Sequence, residues 1–383
     1  MTITLLILIF IRPFISSLAF PYANLIHSSL LLIFAAIWIM TRGVSLKENG
    51  LTAPIILLCT ALFLSLIFRY NRMTGPQELY KYIGGILILL ICSSLSYKDR
   101  DRVILSLMIA GVLISFLAIY QYFFGFQSLN SYIIKEKITN LFFLDYVRQR
   151  RVFFPFVTPN TLGGYLAIII PLALTYRNKA LLALPLFFAL ILTKSIGALL
   201  SLSLALMLYF YLRERFKKRD LLIFSGLLIS IVFIFILRTH LQKLYLQPLF
   251  STAMRLNYWI DTLTIIKTHP FTGLGLGNFN LTFSRYSHNS YLQVWAEIGI
   301  LGIIALVWLI ILVLRSGLQN LKESPDKAKI AGLICAACVF LIHNLIDFSF
   351  FLPEVSLVWW AILGLLSHRH PEGPASLAPK KTF

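Results

Sequence analysis

The sequence predicts an all-α polytopic membrane protein, with about twelve transmembrane helices and long external loops. Two observations carry that reading. Of the 383 residues, 58% are hydrophobic and only 13% are charged, whereas a soluble domain carries about a quarter of its residues as charged ones. Apolar runs of roughly 17 to 25 residues also recur from end to end, and that is the length an α-helix needs to cross about 30 Å of hydrocarbon. The chain 1–383 therefore reads as a single integral membrane domain, with no stretch left over for a soluble catalytic one.

The runs fall near 2–20, 25–41, 52–68, 79–96, 103–124, 160–176, 180–193, 195–212, 221–237, 289–314, 329–346 and 352–367. The seventh is short, and its boundary with the eighth decides the side of every later loop. The N-terminus is apolar from Ile3 and interrupted by Arg12-Pro13. It lacks the basic start and small-residue cleavage site of a secretory signal, so it is expected to stay as the first span.

Orientation follows from lysine and arginine in the short loops. Arg42 and Lys47, Lys98 to Arg102, Arg177 and Lys179, the run from Arg213 to Arg219, and Arg315 to Lys329 share one side if the N-terminus is cytoplasmic. The tail 368–383, with Arg369, Lys380 and Lys381, joins them. Both termini are thus expected in the cytoplasm. Most external cations then sit in two long segments, 125–159 and 238–287, rich in aromatic residues, proline and glycine rather than in disorder-promoting residues. Long connections of that kind are usually functional. Both are expected to be ordered over the membrane surface.

The net charge of +19 raises a nucleic-acid reading. The basic residues are dispersed among loops rather than gathered in one patch, which argues against it. The four cysteines, Cys59, Cys92, Cys335 and Cys338, all lie in apolar runs. The C-x-x-C pair has no accompanying cysteine or histidine pair, so the four read as small packing residues. His269 and His343 likewise lack partners at metal-ligand spacing, and no metal site is expected.

The main external segment, 238–287, carries the residues best suited to chemistry. Arg255 and Trp259 are four apart and share a helix face. A guanidinium there can face a ligand while the indole anchors at the interface, although a snorkelling arginine would look the same. Gly273, Gly275 and Gly277 alternate after a helical rather than a strand segment, so they lack the context of a dinucleotide fingerprint. They read as a tight turn passing close to a ligand or a helix.

His288-Asn289 marks the entry into the tenth span, with Arg285 three residues earlier. An imidazole at that boundary can accept a proton near neutral pH. Glu297 lies about 13 Å deeper, on the opposite face of a continuous helix. Its carboxyl should contact another helix, approached closely at Gly299 and Gly302.

In the segment 125–159, Arg148, Arg150 and Arg151 stand on the external side against the positive-inside trend, which suggests an anion. Asn160 opens the sixth span and reads as its N-cap.

His288-Asn-Ser-Tyr-Leu-Gln-Val-Trp-Ala-Glu297-Ile-Gly299-Ile-Leu-Gly302 resembles the signature of the O-antigen ligase and polymerase superfamily. Arg255-x-x-x-Trp259, His269-Pro270 and Gly273-x-Gly275-x-Gly277-x-Phe279 resemble that family's external-loop pattern in the same order. Pro159-Asn160, and His343-Asn344 through Asp347 to Pro353, resemble further landmarks, so the resemblance covers most of residues 150 to 366. One departure stands out. The family's Ser-Arg-Gly-Ala has Ile196 at its arginine, with Lys194 two residues earlier, and lysine supplies charge without the bidentate fork.

The resemblance implies a metal-independent, inverting glycosyltransferase of the multispanning C type, with no cofactor, at the external face of a bacterial inner membrane. It implies an undecaprenyl pyrophosphate-linked glycan as donor and lipid A-core or a growing glycan as acceptor. Arg255, Arg285, Lys194 and Arg151 would then hold the donor pyrophosphate, and His288 would assist the acceptor hydroxyl. Trp259, Asn289, Glu297, Gly275, Gly277 and Asn160 would support the site. A polymerase of the same superfamily is the nearest alternative. A transporter, the alternative from another class, would be expected to show two related halves with broken spans, and no internal repeat is visible.

Overall fold

A computed structural model of the chain describes residues 1–43, 50–67, 75–176, 181–213, 218–242 and 250–367. It is 81% helical, without strands among the described residues. The helices are α1 (Thr2–Ile11), α2 (Pro21–Arg42), α3 (Thr52–Ile67), α4 (Gly75–Ser93), α5 (Tyr97–Tyr120), α6 (Phe126–Lys135), α7 (Leu141–Arg148), α8 (Pro159–Thr175), α9 (Ala183–Thr193), α10 (Ile196–Leu212), α11 (Lys218–Gln242), α12 (Phe250–Thr268), α13 (Ser290–Glu323), α14 (Lys327–His343) and α15 (Pro353–Ser367). A π-turn at Gln121–Gly125 joins α5 to α6. The basic tail 368–383 and the basic-loop residues 44–49, 177–180 and 214–217 lie outside the described residues, as does 243–249 of the main external segment.

Every apolar run read from the sequence contains a helix. Among the described residues α2, the continuous stretch Tyr97–Lys135 and α13 are long and apolar enough to cross a membrane, and seven further apolar helices are 10–17 residues long. Backbone groups in hydrocarbon must bond internally, and an all-helical chain meets that demand. The architecture is that of a helical membrane protein.

The bundle interior is built where α4 meets α15, α8 meets α14, α3 meets α13 and α10 meets α14. Small residues let these helices approach. A Cβ on Gly85 would collide with the Trp360 indole, and one on Gly364 with the Leu89 carbonyl. Close backbone approach of this kind is what drives helix association where lipid replaces water.

The first run departs from expectation. Helix α1 ends at Ile11 and gives way to a tight turn, Arg12–Phe14. Ten residues rise about 15 Å, half the hydrocarbon thickness. Arg12 keeps a helical backbone, at φ -49 and ψ -47, but Pro13 has no N–H with which to extend the α-helical ladder. Arg12 is buried there, donating to Asn24 Oδ1 at 2.9 Å, to Ile15 O at 3.2 Å and to Glu354 Oε2 at 3.3 Å. The interruption is therefore locked to α15 by an ion pair inside the bundle.

Both long segments expected to be external are largely helical where described. The segment 125–159 folds into α6 and α7, and 238–287 into the end of α11, into α12 and into an irregular loop leading to α13.

Candidate active site

A cavity of about 710 Å³ opens between α7, the starts of α8 and α10, α12 and the turn after α14. Arg151, Asn160, Arg255, Trp259 and His288 all line it. Residues more than a hundred positions apart in sequence are thus gathered around one space.

Arg255, Tyr258 and Trp259 come from α12, where spacings of three and four put them on one face. Burial pushes the Arg255 guanidinium down from its ordinary pKa, and Asp347 and Tyr146 oppose that shift. An arginine so placed stays charged.

His288 is held in the left-handed region, at φ 53. Both neighbours are tied down. Ser287 N donates to Gln293 Oε1 at 3.1 Å, and Asn289 Oδ1 caps α13 by accepting from the amides of Tyr291 and Leu292, each at 3.1 Å. Ser290 N donates to Asn344 O at 2.9 Å, fixing the start of α13 to the turn after α14. A non-glycine residue kept at positive φ by its surroundings marks a candidate functional position.

The imidazole lies over Tyr258, with centroids 5.6 Å apart, and edge-on to Phe348 at 4.9 Å. Nδ1 is buried and has no hydrogen-bond partner. Burial, then the positive charge of Arg255, push its pKa down to about 4 against the pull of Asp347. His288 is therefore neutral at physiological pH.

Arg151 enters from the opposite wall. Its side chain is buried, Nε donates to Thr193 O at 3.0 Å, Nη2 donates to Asn160 Oδ1 at 3.0 Å, and Ser195 Oγ donates to the same Asn160 oxygen at 3.1 Å. Asn160 is not the cap of its helix. Pro159 occupies the first helical position and has no N–H, so the capping oxygen belongs one residue earlier, where Thr158 Oγ1 accepts from Thr161 N at 3.1 Å. The Asn160 side chain is thereby available to orient Arg151.

Asp347 is the residue of this site that sequence reasoning noted only as part of a turn. It is buried, its Oδ2 lies 3.4 Å from His343 Nε2, and its Oδ1 has no hydrogen-bond partner. It acts electrostatically on both Arg255 and His288. The spacing of His343 and Asp347, four apart, was the available signal.

Two expected cations face elsewhere. Ser284 and Tyr286 line the cavity, while Arg285 between them turns to Glu78 Oε1 at 3.2 Å. Lys194, at φ 51, donates its ammonium to Gln149 O.

The glycine turn does not contact the cavity as a lining. Helix α13 breaks at Gly299, φ 71, and the turn plugs the break. Leu274 N donates to Ala296 O at 2.8 Å, Gly275 N to Glu297 O at 3.1 Å, and Ile300 N to Pro270 O at 3.0 Å. Gly273, Gly275 and Gly277 all have positive φ, which glycine takes without a steric penalty. Gly299 is thus a break that accepts a loop rather than a smooth surface for a neighbouring helix. Beside it, Glu297 Oε1 accepts from Gln293 Nε2 at 2.8 Å, and Ser65 of α3 donates to the Glu297 carbonyl at 2.9 Å.

Fold and site together define a helical membrane protein with a cavity lined by arginine beside α7 and α12. Residues 181–307 match the family model described as Wzy_C: O-Antigen ligase. That match, over about a third of the chain, supports the O-antigen ligase and polymerase superfamily and, in general terms, a glycosyltransferase-like activity with lipid-linked glycan and membrane partners. The matched segment runs from α9 into α13 and includes Arg255, Trp259, the glycine turn and His288. Among curated proteins none matches the chain.

Proposed function

We propose that this protein is an O-antigen ligase, moving a glycan from undecaprenyl pyrophosphate to lipid A-core at the periplasmic face of the inner membrane. The observation that carries the reading is the convergence of Arg151, Arg255 and His288 on one cavity. Arg255 has Asp347 as its electrostatic partner and Arg151 is oriented by Thr193 O and Asn160 Oδ1, and pyrophosphate would match the two guanidinium forks that line the one cavity.

The reaction is a single displacement with inversion. The acceptor hydroxyl oxygen bonds to the anomeric carbon as the bond from that carbon to the pyrophosphate oxygen breaks. The electron pair leaves on pyrophosphate, where Arg255 and Arg151 offset the charge. The hydroxyl proton passes to His288. An imidazole that is neutral before donor binds can accept the hydroxyl hydrogen bond, and the incoming pyrophosphate raises its basicity by countering Arg255. Because pyrophosphate is already a good leaving group, positioning and electrostatics suffice, and no metal step is invoked.

Lys194 and Arg285, held by Gln149 O and Glu78 away from the cavity lining, would join the donor only by exchanging those partners for phosphate. Trp259 anchors α12 at the interface, and Asn289 and Glu297 hold the start of α13. The twelve apolar runs would lie in the membrane with both termini cytoplasmic, the first as a half-length helix turned at Arg12–Phe14.

The test is expression in a strain that makes carrier-linked O-antigen but lacks its own ligase. Polymeric glycan on lipid A-core, lost in His288→Ala, is the expected outcome. Longer carrier-linked chains in a polymerase-deficient strain, with no glycan on lipid A-core, would move the function to polymerase.

A further inference from the structure

A second cavity, of about 790 Å³, lies between α6 and α7 on the same external segment. We infer that it is a carbohydrate-binding site that holds the sugars of the acceptor while the donor occupies the catalytic cavity. The inference rests on the transferase reading above and adds a separate site to it.

Helix α7 is the wall between the two spaces. Leu141, Leu144 and Arg148 face the second cavity, Phe142, Phe143 and Tyr146 face the catalytic one, and Asp145 lines both. Spacings of three, four and seven make that division the natural outcome of one helix presenting two faces. A ligand in the second cavity is therefore one helix away from the space that holds Arg255 and His288.

The lining has the chemistry of a sugar site. Pyranose rings present apolar C–H faces and hydroxyl edges, so they need an apolar platform flanked by amide and charged groups. Exposed Leu141 with half-buried Ile133 and Leu144 gives the platform, backed by buried Phe126 and Val147, and Gln127 and Asn130 on α6 supply exposed amides beside Asp145. One end is pre-built. Arg150, at φ 49, donates to Tyr122 O at 2.8 Å and sets its guanidinium 5.1 Å from the Tyr122 ring and 5.9 Å from that of Phe126. A cation held by its own rings and carbonyl shapes the wall without requiring an anion.

Two sources supply such a ligand: core oligosaccharide, if the acceptor is lipid A-core, and O-unit oligosaccharide, if it is a growing chain. The experiment measures equilibrium binding of each lipid-free oligosaccharide to the full-length protein in nanodiscs. Saturable binding of one of them is expected, weakened about tenfold in Gln127→Ala/Asn130→Ala by the loss of two amide hydrogen bonds. Asn130→Trp, which fills the space, should abolish it. Circular dichroism and melting temperature check that the variants fold.

Absence of saturable binding by either oligosaccharide would overturn the inference. So would binding that is lost in His288→Ala and retained in both α6 variants, since it would then belong to the catalytic cavity. The readout needs no transfer, so failure of the ligase reading, seen as no glycan moved in cells, is distinguishable from failure of this one.

Discussion

The ring of His288 stacks on that of Tyr258 with 19° between their planes, and Tyr258 lies three residues along α12 from Arg255. One helix thus supplies both the cation of the candidate site and the surface that orients its imidazole. Tyr258→Phe keeps the platform and should retain near-normal transfer. Tyr258→Ala removes it and should lower turnover by about ten- to a hundredfold, as misplacement of a reacting group does. Equal activity of the two variants would deny the ring its orienting role.

The acid limb of activity should lie well below the usual histidine range. His288 is held near 4, so it is neutral from pH 8 down to about pH 5 and becomes protonated only as the pH falls through 4. Transfer should be nearly flat over that span as far as His288 is concerned. Removing the adjacent charge in Arg255→Gln should raise the His288 pKa, and adding inorganic pyrophosphate to the wild type should raise it too. Imidazole carbon shifts followed by NMR in isotope-labelled protein measure both effects; a His288 that titrates near 6.5 without pyrophosphate would contradict this electrostatic picture.

Gly299 should be the least replaceable glycine of α13. An added Cβ would run into the Phe271 carbonyl, at a φ of 71 that alanine tolerates poorly. Gly299→Ala should destabilise the protein by about 3 kcal/mol or more, combining backbone strain with the collision. The Cβ of Gly302→Ala meets only the Ile298 side chain, which can move, and its cost should be smaller. Melting temperatures in detergent compare the two directly.

Asn160 should matter through Arg151. Its Oδ1 accepts from both Arg151 and Ser195, so Asn160→Leu releases the guanidinium while keeping volume. Donor KM should rise about tenfold, the scale of one charge-assisted hydrogen bond, with the melting temperature little changed. An unchanged donor KM would remove Arg151 from donor binding.

The helices were legible because hydrocarbon leaves the backbone few options, and apolar run length reports them directly. The interruption at Arg12-Pro13 was visible as residues but not as an end, because its ion partner, Glu354, lies far along the chain. The candidate cavity was half legible. Arg255, Trp259 and His288 stand in a local pattern, whereas the places of Arg151, Asn160 and Asp347 depend on how α8, α10 and α14 pack. The capping assignment failed at Asn160 because Pro159 moves the cap back one residue. The break at Gly299 was hidden within an apolar run, since a positive φ leaves no mark beyond glycine itself.

The most direct test of the central claim is release of undecaprenyl pyrophosphate by the purified, lipid-reconstituted protein given carrier-linked O-antigen with and without lipid A-core. The account expects release that depends on the acceptor, a product of inverted anomeric configuration by NMR, and loss of at least about a hundredfold in rate in both Arg255→Ala and His288→Ala with melting temperatures preserved. Release at wild-type rates in both folded variants would contradict it.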